Sequence, residues 1–470
     1  MQTPKMHETS RILRPYQLDA ISRMQYRDRN LEFDDMGLGK TVTTLMSIAL
    51  KLDYNENVLI VCPKNALYVW KDEIEKWLGL ESIVYSGTPK QREKLWYEWE
   101  HSQMQFFITT YGMLKELPMC CWTGLIADEI HAAGLLNHKT ATFKLFKKFS
   151  HETRLLYLLT GTPIRQGVVD LYAPLNLVDA GRFSNYWGFI NRYCIVNQTP
   201  YGKTIERNPR DIATFRELLN QYMIRRVKTE VLSDLPGKQR QTIGLDMTPK
   251  QVKAHKQIIE ELLYVDEDAV VITPNKMTAI LRLRQLLVCP RLLDIDDDGA
   301  ALTYLKEVGG ELLENKQPIV VFTPFKQAIP YITQVLESTG TSPHVYVLSG
   351  GLTADGFREQ WQSFQEDTCS RKVLICVIKS GAAFHATSAA HAFFLGYEWD
   401  FNLNAQAEDR LCRMGQKQFV TCYYLLHNDD SVDNLVKKRL NDKQDASNWV
   451  IGTQAQYEAL LARVQNKKKK

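Results

Sequence analysis

The sequence feature that most constrains this chain is the stretch from Phe33 to Thr41, which reads FDDMGLGKT. Gly37 and Gly39 allow a tight turn whose backbone N–H groups converge, and Lys40 and Thr41 follow at once. Apolar residues then recur at helical spacing and predict a helix directly after the loop: Val42, Leu45, Met46 and Ala49. A loop at the positive end of a helix suits an anion with several phosphates, with Lys40 on the β- and γ-phosphates and the Thr41 hydroxyl on Mg²⁺. The sequence therefore predicts a triphosphate site.

Several further apolar runs are each followed by polar residues, which predicts buried parallel strands with functional loops at their carboxyl ends. In the first part of the chain these runs are Val58–Cys62, Phe106–Ile108, Gly124–Ala127 and Arg154–Leu159. The helix after the first run carries Trp70, Ile74 and Trp77 at helical spacing, and we interpret this stripe as core.

The third run ends in two adjacent carboxylates, Asp128 and Glu129, with His131 two residues further on. Two carboxylates at the end of a buried strand are unfavourable unless they serve a cation, so Asp128 is the expected partner of the Mg²⁺ held by Thr41. Glu129 is then free to orient and deprotonate an attacking water. The hydroxyls of Thr160 and Thr162, after the fourth run, are expected to bond this cluster and relay its state.

One amide near the start of the chain completes the predicted nucleotide site. Gln17 lies near the beginning of an amphipathic helix that follows Pro15. Its side chain both donates and accepts, which suits the adjacent donor and acceptor on the edge of adenine.

The second half of the chain changes character twice. Between residues 181 and 315 helical periodicity replaces the strand-like runs, which predicts helical protrusions and a linker. From 316 to 440 apolar runs return at helix-length intervals and predict a second parallel-sheet lobe like the one in residues 1–180. Residues 441–470 are expected to form a C-terminal helix and a basic tail. The predicted fold class is therefore α/β, with two RecA-like lobes in tandem and helical insertions between them.

Within the second lobe, Gln406, Arg410 and Arg413 are spaced to lie along one face of a helix. Such a helix would present two guanidinium groups to a nucleotide held by the first lobe. There they would neutralise charge that develops on the γ-phosphate, while Gln406 contacts the nucleotide.

These motifs, in this order, resemble those of helicase superfamily two. The variant from Asp34 to Thr41 is similar to that of the Swi/Snf-like family of ATP-dependent DNA translocases, and so is the stretch from Gln406 to Gln416. The resemblance implies ATP and Mg²⁺ as cofactors and double-stranded DNA as the partner. It also implies that residues 223–228 help to brace the two halves. The residues expected to contact DNA are Pro63, Lys64, Thr109, Thr110, Thr323 and Lys379.

The fifth family motif is altered in this chain. That motif is glycine-rich and contains an asparagine, whereas residues 379–388 here read KSGAAFHATS. Because this loop couples DNA to ATP in the family, the strength of coupling is an open property. Phe384 and His385 are bulky where the family keeps its backbone open, and we favour packing of Phe384 against the core.

Composition sets the remaining limits. The 470 residues carry 58 Lys and Arg against 54 Asp and Glu, so a net charge of +4 requires any nucleic-acid surface to be local. No apolar run reaches membrane-spanning length, and nine cysteines without a Cys-x-x-Cys pair indicate reduced thiols. We therefore expect an intracellular monomer, cytoplasmic or nuclear.

Three functions compete at this point. The leading one is an ATP-driven translocase on duplex DNA, which moves along it or displaces a protein bound to it. The second is a strand-separating or annealing helicase on DNA or RNA. The third, motivated by the altered fifth motif, is an ATP-gated DNA clamp with weak hydrolysis.

Overall fold

The computed structural model describes residues 13–119, 122–165, 167–199, 202–231, 237–263, 274–380, 384–413, 415–428 and 433. The chain divides into two compact units, with the division between residues 233 and 234. We call the units lobe one and lobe two. The division falls inside the segment 181–315 that we predict to be inserted between the lobes. In the described ranges, no helix is long and apolar enough to cross a membrane.

Lobe one is built on a seven-stranded sheet in the order β3-β4-β2-β5-β6-β1-β9, and all its strand pairs are parallel. Its strands are β1 Arg29–Glu32, β2 Val58–Cys62, β3 Ser82–Val84, β4 Phe106–Thr110, β5 Gly124–Ala127, β6 Leu155–Leu159 and β9 Met223–Ile224, and β7 Cys194–Thr199 with β8 Gly202–Pro209 forms a separate antiparallel hairpin. Its helices are α1 Pro15–Gln25, α2 Lys40–Ala49, α3 Leu67–Leu78, α4 Pro89–Glu100, α5 Ala141–Glu152, α6 Tyr172–Val178, α7 Tyr186–Tyr193, α8 Ile212–Asn220 and α9 Lys228–Val231.

Lobe two contains a six-stranded parallel sheet in the order β10-β15-β14-β11-β13-β12. Its strands are β10 Lys238–Leu245, β11 Ile319–Thr323, β12 His344–Leu348, β13 Lys372–Val377, β14 His391–Phe394 and β15 Val420–His427. Its helices are α10 Pro249–Leu263, α11 Pro274–Val288, α12 Gly299–Tyr304, α13 Gly310–Glu314, α14 Ile329–Glu337, α15 Ala354–Glu366 and α16 Phe401–Glu408.

The central strands read as continuous apolar runs because both faces of each sheet are covered. Strand β11 shows this directly, since Val320 and Phe322 pack into one apolar cluster while Ile319 and Val321 pack into another. Alternate residues of a strand point to opposite faces, so the two clusters lie on the two sides of the sheet. The predicted fold class of two parallel-sheet lobes is confirmed.

The edge strands are where the structure departs from the sequence pattern. The segment 181–315 contains β7, β8, β9 and β10 in addition to helices. Strand β10 is polar and mostly exposed, and it lies at one edge of the lobe-two sheet. Strand β12, one of the apolar runs predicted in residues 316–440, lies at the other edge and exposes His344. Edge strands need only one apolar face and are commonly charged, so periodicity misses or misjudges them.

Candidate functional site

The loop between β1 and α2 makes the tight turn that its sequence predicts. Gly37 and Gly39 adopt left-handed conformations, with φ of +79° and +83°, and Gly39 is the residue that precedes the first turn of α2. A Cβ atom on Gly39 would lie 2.5 Å from Gln17 Nε2. Both the backbone conformation and the lack of space therefore exclude a side chain at this position.

Lys40 and Thr41 occupy the first turn of α2, directly after the loop. The Lys40 ammonium group donates to the carbonyl oxygens of Asp34 at 2.9 Å and Asp35 at 3.3 Å, so its charge lies across the loop. Thr41 is partly exposed at the positive end of the helix. These two predicted ligands are thus placed together with the N–H groups of the loop.

Gln17 packs against the same loop from α1 and is 4% exposed. Its Nε2 donates to Leu38 O at 3.2 Å, and its Oε1 accepts from the Arg14 N–H at 2.9 Å. The Tyr16 hydroxyl also donates to Leu38 O, at 3.1 Å. One donor and one acceptor of the amide are thus bonded to the protein, and the predicted contact with adenine would use the others.

Two arginines brace the loop, which sequence reasoning did not foresee. Arg226 binds Asp34 with Nε 3.1 Å from each carboxylate oxygen, and the two side chains are buried. Arg225 Nη2 lies 2.7 Å from Asp35 Oδ1. The backbone supports this pairing, since Phe33 N donates to Ile224 O and Asp35 N to Arg226 O. The adjacent arginines were the available signal, but the resemblance assigned them to bracing the two halves of the chain.

Asp128 follows β5 and is held by donors on both oxygens. Trp70 Nε1 donates to Oδ2 at 2.9 Å, and the Glu129 N–H donates to Oδ1 at 2.9 Å. Trp70 belongs to the core, as predicted, but it also orients this carboxylate. Burial, and then the charge of Glu129, raises the pKa of Asp128 to about 6. A cation at this position would favour the ionised form.

Glu129, His131 and Thr160 form a second cluster beside Asp128. His131 Nδ1 lies 2.8 Å from Thr160 Oγ1 and 3.2 Å from Glu129 Oε2. The Thr162 N–H donates to Thr160 Oγ1 at 3.0 Å. Glu129 has a φ of +48°, which is uncommon for a residue with a side chain. The structure thus brings the predicted base together with His131 and Thr160. The Thr162 hydroxyl, which we expected to bond this cluster, is instead buried and has no hydrogen-bond partner among the described residues.

The segment that contains Thr160 also contacts the loop between β1 and α2. Gly161 follows Thr160, and a Cβ atom there would lie 2.7 Å from Met36 Cγ. The Gly161 carbonyl oxygen accepts from Arg225 Nη1 at 3.2 Å. Three sequence motifs spread over residues 33–162 therefore converge at the carboxyl edge of one sheet.

The residues predicted to bind DNA differ in how much surface they offer. Thr109 and Thr323 are fully buried, and the Thr323 hydroxyl bonds the backbone of Phe325. Neither side chain presents surface to a polymer. Lys64 is exposed, Pro63 and Thr110 are partly exposed, and the Lys379 side chain is 65% exposed with Nζ 3.4 Å from Glu398 Oε2.

The arginines of lobe two do not lie on a helix, which corrects our prediction. Helix α16 carries the buried Gln406 but ends at Glu408, and turns follow in which Arg410 N donates to Ala407 O. Arg410 is 8% exposed as a residue, and its guanidinium group donates to Phe384 O at 3.1 Å and lies 5.6 Å from the centre of the Phe384 ring. Arg413 is partly exposed.

In the altered fifth motif, Phe384 is buried, as predicted. Residues 381–383 of the altered motif lie outside the described residues.

The end of α16 is fixed by a buried carboxylate. Glu408 binds Lys238 Nζ at 2.7 Å and Arg240 Nε at 2.6 Å, both from β10, and accepts from the Tyr424 hydroxyl at 2.6 Å. Burial opposes ionisation of Glu408, but the two cations outweigh it and hold its pKa below the usual range. Helix α16 is thereby bound to strand β10.

Comparison with known proteins shows which family the chain belongs to. A family model described as the SNF2-related domain matches residues 16–292, which is more than half of the chain. The chain belongs to the SNF2-related family. The fifth-motif residues lie outside the matched range.

Two curated relatives show how far the SNF2-related similarity extends. The mouse protein "DNA annealing helicase and endonuclease ZRANB3" is 28% identical over 453 residues, covering 92% of this chain and 40% of that protein. The "Chromatin structure-remodeling complex subunit snf21" of Schizosaccharomyces pombe is 26% identical over 477 residues, covering 93% and 39%. The chain thus spans about two fifths of the length of these relatives.

Among solved structures, "Sulfolobus solfataricus SWI2/SNF2 ATPase core in complex with dsDNA" aligns over 96% of this SNF2-related chain and 99% of that one. The identity is 22% and the TM-score is 0.43.

Proposed function

We propose that this SNF2-related chain is an ATP-driven translocase on double-stranded DNA. The observation that carries the proposal is the convergence of the Gly37–Thr41 loop, the Asp128–Glu129 pair and Thr160 at one sheet edge. That edge is where parallel α/β sheets bind ligands. Phosphoryl transfer to water requires a loop that binds the phosphates, a carboxylate that binds the metal ion and a general base.

The residues present fit ATP with Mg²⁺. The loop N–H groups and Lys40 would hold the phosphates. Gly37 and Gly39 have left-handed backbones and no side chains, so no side chain at these two positions would stand between the phosphates and the loop N–H groups. Thr41 and Asp128 would hold Mg²⁺, which neutralises charge on the phosphates when bound. In the part of the chain that the structure describes, no group of three or more His, Cys, Asp or Glu forms a metal cage. A cation that retains water and phosphate ligands needs none.

Glu129 is the general base in this proposal. Its Oε2 lies 3.2 Å from His131 Nδ1, and the same ring nitrogen lies 2.8 Å from Thr160 Oγ1. A change at Glu129 is therefore close to the segment that also contacts Met36 and Arg225. This chain of contacts offers a physical route by which the state of the nucleotide reaches other loops.

Arg410 and Arg413 are proposed to act from lobe two on the charge that develops at the γ-phosphate. Arg410 must first leave the carbonyl oxygen and ring of Phe384. Lys64, Thr110 and Lys379, which offer polar surface, are proposed to grip DNA phosphates without reading sequence. In this role the chain acts as a monomer and displaces proteins bound to the duplex.

One experiment tests the proposal against its alternatives. ATP turnover is measured alone and with duplex DNA, single-stranded DNA and RNA, beside strand-displacement and strand-annealing assays. The translocase predicts strongest stimulation by duplex DNA and no displacement from a blunt duplex. Efficient displacement would establish a helicase instead, and DNA binding with negligible turnover would establish a clamp.

A second candidate is an annealing motor. It is favoured by the similarity to ZRANB3, a relative whose name describes annealing activity. ATP-dependent closure of a partly melted duplex, in the same set of assays, would distinguish it from a motor that only translocates.

A further inference from the structure

Two of the loops proposed to grip DNA lie beside Asp128, because strands β4, β2 and β5 are neighbours in that order in the lobe-one sheet. Lys64 lies in the loop after β2, and Thr110 ends β4. Each loop is followed by a side chain that donates a hydrogen bond to Asp128. Trp70 does so from α3, and Tyr111 does so from the position directly after Thr110.

The contact of Tyr111 is made to the backbone. Its hydroxyl donates to the Asp128 carbonyl oxygen at 2.7 Å. The N–H of the same peptide bond, which belongs to Glu129, donates to Asp128 Oδ1 at 2.9 Å. Both polar groups of this peptide bond are therefore bonded. Because β2 lies between β4 and β5, the Tyr111 hydrogen bond joins the ends of two strands that are not neighbours.

The orientation of this peptide bond affects both predicted catalytic carboxylates. Glu129 has a φ of +48°, a left-handed conformation that residues with side chains seldom adopt. A half-turn of the peptide plane would carry this φ to about −130°, within the extended range. The same half-turn would take the Glu129 N–H away from Asp128 Oδ1 and bring the carbonyl oxygen towards it. The Tyr111 hydrogen bond opposes this rotation, because the carbonyl oxygen would leave the hydroxyl.

We propose that Tyr111 is a positioning residue that couples the DNA-binding loop after β4 to Asp128. This inference rests on the proposed function, in which Thr110 contacts a DNA phosphate and Asp128 would hold Mg²⁺. A phosphate bound at Thr110 would hold the backbone of the next residue and, with it, the Tyr111 hydroxyl. The peptide bond would then keep its N–H on the Asp128 carboxylate. Movement of the loop in the absence of DNA would draw the hydroxyl away and let the peptide bond turn.

A variant that removes the hydroxyl and keeps the ring isolates this hydrogen bond. The Tyr111 ring packs against the lobe-one core, and Tyr111→Phe retains that packing. Tyr85→Phe is the matched control. Tyr85 packs in the same core, its N–H donates to Ile108 O of β4, and its hydroxyl makes no hydrogen bond among the described residues.

The first readout is the amide NMR signal of Glu129, in the full chain made by cell-free synthesis with ¹⁵N-glutamate. Glu129→Gln assigns the signal, and spectra are recorded without nucleotide or Mg²⁺, with and without a saturating mixed-sequence DNA duplex. Fluorescence anisotropy confirms that each variant is saturated. We expect DNA to shift the signal in the parent chain and in Tyr85→Phe, but not in Tyr111→Phe.

The second readout is ATP turnover. In Tyr111→Phe the ratio of duplex-stimulated to basal kcat should fall about two- to tenfold, the range expected for the loss of one hydrogen bond. The KM for ATP should stay within about twofold of the parent value, since the hydroxyl does not touch the nucleotide loop. Tyr85→Phe should leave the ratio of kcat values unchanged.

Several results would overturn the coupling role. They are a Glu129 signal that ignores bound DNA in the parent chain, an equal DNA-induced shift in Tyr111→Phe, an unchanged kcat ratio, and an equal effect of Tyr85→Phe. An equal loss of basal and stimulated kcat in Tyr111→Phe would make its role purely structural. Failure of the proposed function is distinguishable, because the Glu129 signal would then respond to bound duplex DNA while turnover would not rise.

Discussion

Glu129 combines a left-handed backbone with a buried Oε2 atom that lies 3.2 Å from His131 Nδ1, an arrangement that a residue kept only for packing would not need. We expect Lys40→Ala and Glu129→Gln to abolish turnover in different ways. The first removes a phosphate contact and should weaken ATP binding, while the second removes the base and should retain it. Equilibrium binding of a fluorescent ATP analogue beside turnover separates the two. Normal hydrolysis in Glu129→Gln would refute its role as base.

Glu32 is a buried carboxyl beneath the loop, bonded to the Thr44 hydroxyl and close to Asp34. Burial, and then the charge of Asp34, raises the pKa of Glu32 well above its usual value. The folded state therefore binds a proton that the unfolded state releases near pH 4.3, and stability falls as pH rises through this window. Sequence reasoning overlooked Glu32 because it sits between apolar residues and carries no motif.

The variant Glu32→Gln removes this dependence. Relative to the parent chain, the free energy of unfolding of the variant should rise by up to about 1.4 kcal/mol for each pH unit above the pKa of Glu32 in the unfolded chain. The rise should stop once the pH reaches the pKa of Glu32 in the folded chain. Thermal melting from pH 5 to 8.5 measures the difference, with Glu75→Gln, at an exposed position of α3, as the control. A difference that does not change with pH would mean that Glu32 is ionised in the fold.

At the scale of elements, the turn after α16 and the altered fifth motif form one unit, because Arg410 rests on the carbonyl oxygen and ring of Phe384. We expect Phe384→Leu to release Arg410 more readily and to raise DNA-stimulated kcat two- to fivefold, since a cation–π contact contributes about 0.5–1 kcal/mol. Phe357→Leu is the matched control, because Phe357 packs on Phe384 at 6.2 Å between ring centres. An equal change in both variants would indicate general loosening of the core.

Arg413 is the partly exposed member of the pair, and its substitution probes the transition state. Arg413→Ala should leave ATP affinity nearly unchanged and lower kcat on the order of 10³-fold. Steady-state kinetics with duplex DNA at saturation gives both quantities. Weaker ATP binding at normal kcat would make Arg413 a ground-state ligand.

The elements that could be predicted are those whose signal is local. The runs Val58–Cys62 and Ile319–Thr323 are buried on both faces, so their apolar character alone indicates a central strand. Strand β10 is polar because it lies at an edge, and nothing in its own residues shows that Lys238 and Arg240 bind Glu408 far along the chain.

The candidate site follows the same rule. The glycine loop, the two carboxylates and Thr160 were recognisable from their order and residue types. The Asp34–Arg226 pair was not, because it joins residues almost two hundred positions apart. The burial of Thr109 and Thr323 was also hidden, because a hydroxyl that ends a strand has the same sequence signature whether it faces solvent or bonds its own backbone. Long-range partners and side-chain direction are properties of the assembled sheet.

At the scale of the whole molecule, the proposed motor should respond to DNA as charge and shape. Binding should show no sequence preference, and its logarithm should fall linearly with that of salt concentration by about 0.9 for each duplex phosphate contacted. Fluorescence anisotropy on several duplexes over 50–200 mM salt, beside turnover, measures both. Lys64→Ala should reduce the slope by about one, whereas Lys115→Ala, an exposed position in lobe one, should not. A sequence-dependent affinity or a flat salt response would contradict this mode of binding.

Strand β10 is the first described element after the division between the lobes, and it pairs in parallel with β15 over eight residues. A tension applied to the chain ahead of Lys238 would act along the axis of this strand. The hydrogen bonds to β15 would then be sheared together instead of opening one after another, and the ionic bonds to Glu408 would share the load. We therefore expect the start of lobe two to resist a pulling force along β10 better than a strand whose hydrogen bonds open one at a time.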